Sequence, residues 1–435
     1  MLKFLLQRFD ETNTQFIDGD RGVNYPNKSE LLPSGDCVFL STGNVTTTGF
    51  KFDAVDFITS EKDHKLRKGK AARNDVIMTT RGTVGNVAFY SEQIPYDNIR
   101  INSGMLIVRP DANEYLPYFL YLYFRSDLFK RQCLTNGSGS AQPQLPIGAL
   151  KNISLPKISI DMQHKIIDTV KIIDEKIALN NKINTELEAM AKFIYDYWFV
   201  QFDFPDANGK PYKSSGGKMV YNETLNREIP DGWETKELSS ILKSNYASIG
   251  KNDLFDEIEY LDTGSLTKNI VEGTERINSI KDKVPSRAKR IVHKNDILYS
   301  TVRPNLCHYG IVKKPLQNMV ASTGFVQLAS KITWISNDLI YTFLTSSWVT
   351  SRLHQIAALA VSAYPSISPN NILELNITLP KDEKLIEPIN LKFDTIYSKI
   401  SLNQQENLEL SKLRDWLLPM LMNGQVIVND VSIRG

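Results

Sequence analysis

Cysteine is scarce in this chain: three in 435 residues, Cys37, Cys133 and Cys307, widely spaced and never as C-x-x-C. An odd, scattered set argues against a disulfide framework or a structural zinc site, and it fits a reducing, cytoplasmic compartment. Long apolar runs are missing too. No stretch approaches the roughly 18 uninterrupted apolar residues that a membrane span needs, so no membrane association is expected. The opening MLKFLLQRFDE breaks its short apolar stretch with charge, unlike a secretion signal. No two of His64, His164, His293, His308 and His354 lie at metal-ligand spacing. The phosphate loop G-x-x-x-x-G-K-[ST], the zinc motif H-E-x-x-H and the nucleophile elbow G-x-S-x-G are absent. So is the N/D-P-P-Y/F tetrapeptide of amino-methylating enzymes. One acidic pattern, Pro205-Asp206 followed by Glu234-Thr235-Lys236, could be read as a nuclease site. A metal would need those carboxylates fixed on a strand core, and turn-forming residues surround both pieces, so they read as solvated loop residues. No catalytic residue, metal or cofactor is therefore expected. Net charge is small as well: 51 Lys+Arg against 49 Asp+Glu give +2. That balance counts against nucleic-acid binding only if the charge is evenly spread.

What is present is globular: 42% hydrophobic and 23% charged residues, with length for two to four domains. The chain is also written twice. Asn74-Asp75-Val76-Ile77 parallels Asn295-Asp296-Ile297-Leu298, Asn102-Ser103-Gly104 parallels Ser322-Thr323-Gly324, and Ile153-Ser154-Leu155-Pro156 parallels Ile377-Thr378-Leu379-Pro380. The offset of about 220–224 residues is far too long for a solenoid and marks a duplicated domain-plus-helix unit.

After each Leu-Pro runs a stretch with 4-3-4-3 apolar spacing. The first seam is Ile166, Val170, Ile173, Ile177, Asn180, Asn184, Leu187, Ala191, Ile194, Trp198; the second is Ile389, Phe393, Ile396, Ile400, Asn403, Asn407, Leu410, Arg414, Leu417, Leu421. A heptad sustained this long predicts coiled-coil helices, each about 39 residues and about 58 Å long. Ser159 to Asp161 offer N-caps for the first, and Asn423-Gly424 a C-cap for the second. Asparagine at a seam position costs stability but fixes register. Antiparallel pairing about the midpoints sets Asn180 against Asn407 and Asn184 against Asn403. It also sets Ile173 against Arg414, a poor layer unless the guanidinium snorkels out. The alternative is that each helix packs only on its own domain. Between the copies, residues 199–233 are rich in Pro, Gly and Ser and read as a connector. Its aromatic head, including Tyr195, Trp198 and Phe199, is too apolar to stay bare. It either packs under the connector or docks another subunit.

Residues 1–155 and 230–380 show short β-branched and aromatic runs between turn residues, which predicts an α+β fold with helices near 115–133 and 337–360. Small-residue loops follow at 136–141 and 360–365. Charge is uneven here. EKDHKLRKGKAAR (61–73) and KDKVPSRAKRIVHK (281–294) are basic and sit at matching places, each just before the repeated Asn-Asp. One such run is usually a solvated face; two in equivalent positions favour phosphate binding. The DNA-contact candidates are Lys65, Arg67, Lys68, Lys70, Arg73, Arg287, Lys289 and Arg290, with Ser103, Ser322 and Thr323 from the repeated turns. Arg81 and Arg303, just beyond the matching strands, could bind guanine bidentately. A loop Arg paired with a nearby acid is the plainer alternative.

These residues resemble the specificity subunit of type I restriction–modification systems over essentially the whole chain. The stretches that carry the resemblance are FIDGDRGVNYP (16–26), FLSTGNV (39–45), TRGTVGN (80–86), PSRAKR (285–290), VASTGF (320–325), IPDGW (229–233) and the two Leu-Pro-started helices. IPDGW heads only the second copy; the first begins almost directly at its recognition domain. The resemblance implies target recognition domains at 1–156 and 230–380 and spacer helices at 157–200 and 381–424. It also implies a connector at 201–229 and a tail at 425–435. Each domain would read half of a bipartite, asymmetric site in double-stranded DNA. The paired helices would form an antiparallel coiled coil that spaces the domains and docks two modification subunits, which carry S-adenosylmethionine and methylate adenine. Restriction subunits for ATP-driven cleavage are a further partner class. The competing readings are a stand-alone nuclease or methyltransferase and a coiled-coil scaffold without a nucleic-acid role.

Overall fold

The computed structural model describes residues 4–136, 144–250, 255–359 and 365–426. The small-residue loops at 136–141 and 360–365 and the tail at 425–435 fall largely outside them. Two compact units emerge: Met1–Ile177 with Leu408–Gly435, and Ala178–Asn407.

In the first unit a four-stranded antiparallel sheet runs in the order Gln15–Asp18, Met105–Arg109, Val76–Thr79, Val87–Phe89. One face, with Val76, Met78, Leu106 and Val108, packs on the helix Pro117–Arg125. The other, with Ile77, Ala88, Met105 and Ile107, packs in a second cluster with Val38, Leu40, Ile99 and Ile101. Burial on both faces explains why VIM and MLIV are continuous apolar runs rather than alternating ones. The residues of the second cluster come from a three-stranded sheet of Asp56–Ile58, Cys37–Leu40 and Ile99–Ile101, in which Cys37–Leu40 runs parallel to Ile99–Ile101. Each fully buried Ile, Leu or Val contributes about 1.5–3 kcal/mol.

The second unit repeats this order. One sheet is Leu242–Ser244, Phe325–Ser330, Asp296–Ser300, Tyr309–Val312; the other is Glu275–Asn278, Glu257–Leu261, Met319–Ser322, Ala288–Ile291, again with one parallel pair. The repeated Asn-Asp is a turn device. Asn74 and Asn295 take left-handed backbone, φ 71° and 67°, which asparagine tolerates better than most residues. The following aspartates accept the N–H of Ala72 (2.7 Å) and His293 (2.6 Å) and so start the central strand.

Three expectations change. The first copy does have a leading strand: Leu5–Arg8 pairs with Ser154–Lys157 as Trp233–Glu237 pairs with Asn376–Pro380. Glu234 and Lys236 therefore lie on a strand, and they pair with each other (3.0 Å). Each single predicted helix is two, Pro117–Arg125 with Asp127–Asn136 and Asn337–Leu344 with Ser347–Leu359. Ser126 breaks the first because its hydroxyl donates to Tyr123 O (2.6 Å) and accepts from Phe129 N (3.4 Å), competing with helical bonding.

The long helices span Ile160–Tyr195, continued by a π-helical turn Asp196–Val200, and Glu387–Met422. Ser159 Oγ accepts from Met162 N (3.4 Å), and Gly424 (φ 72°) ends the second helix. Neither is an isolated coiled coil. In the first unit Ile166, Val170, Leu418, Leu421 and Met422 share the core with Phe119 and Tyr123. In the second, Ala191, Ile389, Phe393, Ile396 and Ile400 share one with Leu339 and Tyr341. The Arg414 head does not snorkel out. It meets Asp174 at 2.9 Å, which also binds Arg125 at 3.0 Å.

Candidate nucleic-acid interface

In the first unit several loops are drawn together at the strand ends. Thr80 N and Arg81 N both donate to Gly104 O (2.8 and 3.2 Å). A Cβ on Gly104 would meet Thr42 Cγ2 at 2.9 Å, and one on Gly19 would meet Asn102 O at 2.1 Å, so only glycine permits these approaches. The second unit matches: Thr301 N donates to Gly324 O (2.9 Å), whose Cβ would lie 2.5 Å from Thr263 Oγ1. Beyond it Arg303 (φ 47°) and Cys307 (φ 55°) bracket the turn Pro304–Leu306. Left-handed backbone at such residues costs about 1 kcal/mol or more each. Arg303 and Leu306 are exposed.

The basic segments divide into side chains with structural duties and side chains without. Asp63, 6% exposed, takes both Lys70 and Arg100. Burial alone would raise its pKa, but these two cations hold it down at about 2. Arg73 binds Asp97 and Ser91 O and lies 4.4 Å over the Tyr90 ring. Lys65 makes an exposed pair with Glu61 at 2.6 Å, which leaves it reachable from solvent. Arg290 is half-buried, which lowers its pKa, and Nη1 donates to Ser248 Oγ (3.0 Å). Ser322 is fully buried and accepts Gly324 N (3.2 Å). Arg73, Arg290 and Ser322 are thus corrected to structural roles, because each is at least half-buried on a protein partner, whereas Lys70, like Lys65, is paired with a carboxylate yet exposed. Arg67, Lys68, Arg81, Arg287 and Lys289 are exposed. Among the described residues none of these five has an ion-pair partner. Thr323 is exposed and its N–H donates to Arg287 O (2.8 Å); Ser103 is half-buried.

Sequence reasoning passed over two features of this corner. Arg21 reaches Asp18 (3.5 Å) and Ser103 O (3.4 Å). The turns Thr42–Asn44 and Thr263–Ser265 support the glycine loops. Their signal was readable: LSTGNVT (40–46) and LDTGSLT (261–267) repeat at the same spacing as the other pairs.

The seam asparagines meet within the second unit. Asn180 Nδ2 donates to Asn407 Oδ1 (2.9 Å) and Glu406 Oε2 (2.8 Å), Asn407 to Asn181 (2.8 Å), and Asn403 to Asn184 (2.8 Å). Tyr195, Trp198 and Phe199 do not form a docking surface. They are buried with Phe202, Phe204 and Trp233, since these six aromatics cover one another better than any exposed arrangement allows. Exposed apolar residues occur elsewhere along both helices, among them Met190 and Phe193 on the first and Leu413 and Trp416 at the matching positions of the second. Among the described residues no His/Cys/Asp/Glu group could hold a metal, and no helix is long and apolar enough to cross a membrane.

The duplicated α+β domain thus presents exposed cations on converging loops in each half. Comparison with known proteins gives the following likenesses. The type I restriction modification DNA specificity domain matches residues 17–189. The HindI type I restriction enzyme specificity subunit of Haemophilus influenzae is 23% identical, over 94% of this chain and 98% of that one. The MjaIX specificity subunit of Methanocaldococcus jannaschii is 25% identical, over 82% and 79%. The crystal structure of a type I system S subunit from M. genitalium shares the fold, with a TM-score of 0.50 at 15% identity over 97% and 96%. Residues 17–189 thus match the type I restriction modification DNA specificity domain, and over most of its length the chain is similar to type I specificity subunits.

Proposed function

We propose that this chain is the non-catalytic DNA-reading subunit of a type I restriction–modification complex, acting in the cytoplasm. Each recognition domain binds one half of a bipartite, asymmetric site, and the chain positions modification subunits that methylate adenine from S-adenosylmethionine; restriction subunits complete the ATP-dependent endonuclease. The observation that carries this reading is the repeated corner of glycine-packed loops with exposed cations: Arg67, Lys68 and Arg81 in one domain, and Arg287, Lys289 and Arg303 with Thr323 in the other. The lysines and loop arginines contact phosphates, and Arg81 and Arg303 reach base edges. The exposed pairs Met190/Phe193 and Leu413/Trp416 offer two like surfaces to two copies of one partner.

The isolated chain should bind duplex DNA with strong salt dependence, and should neither transfer methyl groups nor cut DNA with Mg²⁺. Adding the modification subunit should confer adenine methylation at one bipartite sequence, read by mapping methylated adenines. Methyl transfer by the chain alone, or affinity indifferent to salt, would overturn the reading.

A further inference from the structure

The FIDGDRG segment is conspicuous in the sequence and has no duty in the reading above. Its Asp20 is 8% exposed, and its carboxylate faces backbone rather than a cation. Oδ1 accepts the N–H of Gly22 (2.6 Å) and Oδ2 that of Arg67 (2.7 Å). The N–H groups of Lys68 and Arg21 also point to it. Burial pulls its pKa up, but these four donors outweigh that and leave it below the ordinary aspartate value. The same stretch of backbone is gripped from its other side by Arg100, whose guanidinium donates to Lys68 O (2.7 Å) and Leu66 O (3.1 Å). An acid thus takes the donors of residues 67–68, and a base takes the acceptors of residues 66 and 68.

The second domain solves the same problem differently. Lys289 and Arg290 lie on the strand Ala288–Ile291, and backbone pairs it: Ile249 N donates to Lys289 O (2.8 Å) and Ile291 N to Ala247 O (3.2 Å). In the first domain residues 66–69 belong to no strand. The carboxylate of Asp20 stands in for the missing partner strand.

Resting on the DNA-binding reading, we infer that Asp20 is the positioning residue of the first recognition domain, fixing Arg21, Arg67 and Lys68 as one cationic corner for DNA phosphates. The sign of the effect separates this role from simple electrostatics. Asp20 is an anion beside a DNA-facing cluster, so removing its charge should tighten DNA binding if field alone matters. If the carboxylate orders the loop, removal should weaken binding.

The test uses the full chain and a mixed-sequence duplex across a salt series. Asp20→Asn should lose at least about fivefold in affinity, and the slope of log K against log salt should flatten by about 1–2, the loss of one or two phosphate contacts. Asp20→Glu keeps the charge and the fold but displaces the carboxylate, and should lose affinity as well. Lys289→Ala should weaken binding equally in the Asp20→Asn and parent chains. If Asp20→Asn binds as well as or better than the parent, while Arg67→Ala/Lys68→Ala loses affinity, the positioning role is refuted and the DNA reading stands. If Arg67→Ala/Lys68→Ala also leaves binding unchanged, the phosphate-contact reading of this segment fails, and the inference with it.

Discussion

Asp63 offers the most demanding check on how the first basic segment is built. Replacing it by Asn keeps size and one acceptor but strips the charge from a site shared by Lys70 and Arg100, the latter 7% exposed. The carboxyl pKa of about 2, against an ordinary 3.8, corresponds to about 2 kcal/mol of stabilisation of the ionised form. Leaving the buried Arg100 unpaired adds a desolvation penalty, and breaking a buried pair from one side typically costs about 3–5 kcal/mol. For a unit of this size each kcal/mol shifts Tm by about 2–4 °C, so the first unit should melt about 6–20 °C lower. The pH dependence has a definite sign. A depressed carboxylate pKa adds stability above the unfolded value and loses it as pH falls through the folded one. The gap between parent and Asp63→Asn should therefore be full at pH 6 and close as pH drops from about 4 toward 2. Calorimetry at several pH values reads this directly. A shift under about 1 °C at neutral pH, or a gap that stays constant below pH 4, would show that the pair does not hold the loop.

Three further outcomes are expected. Arg81→Ala and Arg303→Ala should each cost about 1–3 kcal/mol of discrimination at one half-site and leave the other half unaffected, read by methylation of half-site variants; loss at both halves would contradict independent reading. Asp174→Ala should destabilise the first unit by about 3–5 kcal/mol, because Arg125 loses its carboxylate and Arg414 keeps only the exposed Asp415, and Asp174→Ala with Arg414→Leu should recover part of that in denaturant melts. Inserting four residues in one long helix lengthens it by about 6 Å. It should change the tolerated spacer while sparing both half-site sequences, and unchanged methylation spacing would sink the idea of helix length as ruler.

The long elements were legible because their signals are redundant. Ten seam residues at 4-3 spacing over-determine a helix, and the two asparagines per seam leave one antiparallel register in which Asn180 finds Asn407 and Asn403 finds Asn184. The duplication made the sheets readable in the same way, since a strand after Asn-Asp and a strand after Ser-Gly or Thr-Gly recur in both halves. The interface was only half legible. Composition marks residues 61–73 as basic, but not that Lys70 and Arg73 pair with Asp63 and Asp97. Those partners lie 7 and 24 residues away, and only folding brings them within reach. The aromatic head misled for a related reason. Whether Tyr195, Trp198 and Phe199 are bare depends on Phe202, Phe204 and Trp233 folding back over them, which no local pattern encodes. Ser126 broke a predicted helix through two hydroxyl bonds that periodicity does not see.

The first unit is assembled from two distant pieces of chain, and that has a consequence for how it is made. Ile166 and Val170 are covered in part by Leu418, Leu421 and Met422. At about 5–20 residues per second, a ribosome needs about 10–50 s to travel from one stretch to the other. Throughout that interval the apolar stripe of a nascent first unit stays bare, and the contiguous second unit, Ala178–Asn407, is complete in sequence before Leu418 is reached. Vectorial synthesis therefore favours the second unit maturing first, with the first waiting for the last helix to cover it. Messages cut short near the 3′ end should yield chains that expose a sticky helix and are removed by chaperones and proteases, a built-in check that only full-length readers survive.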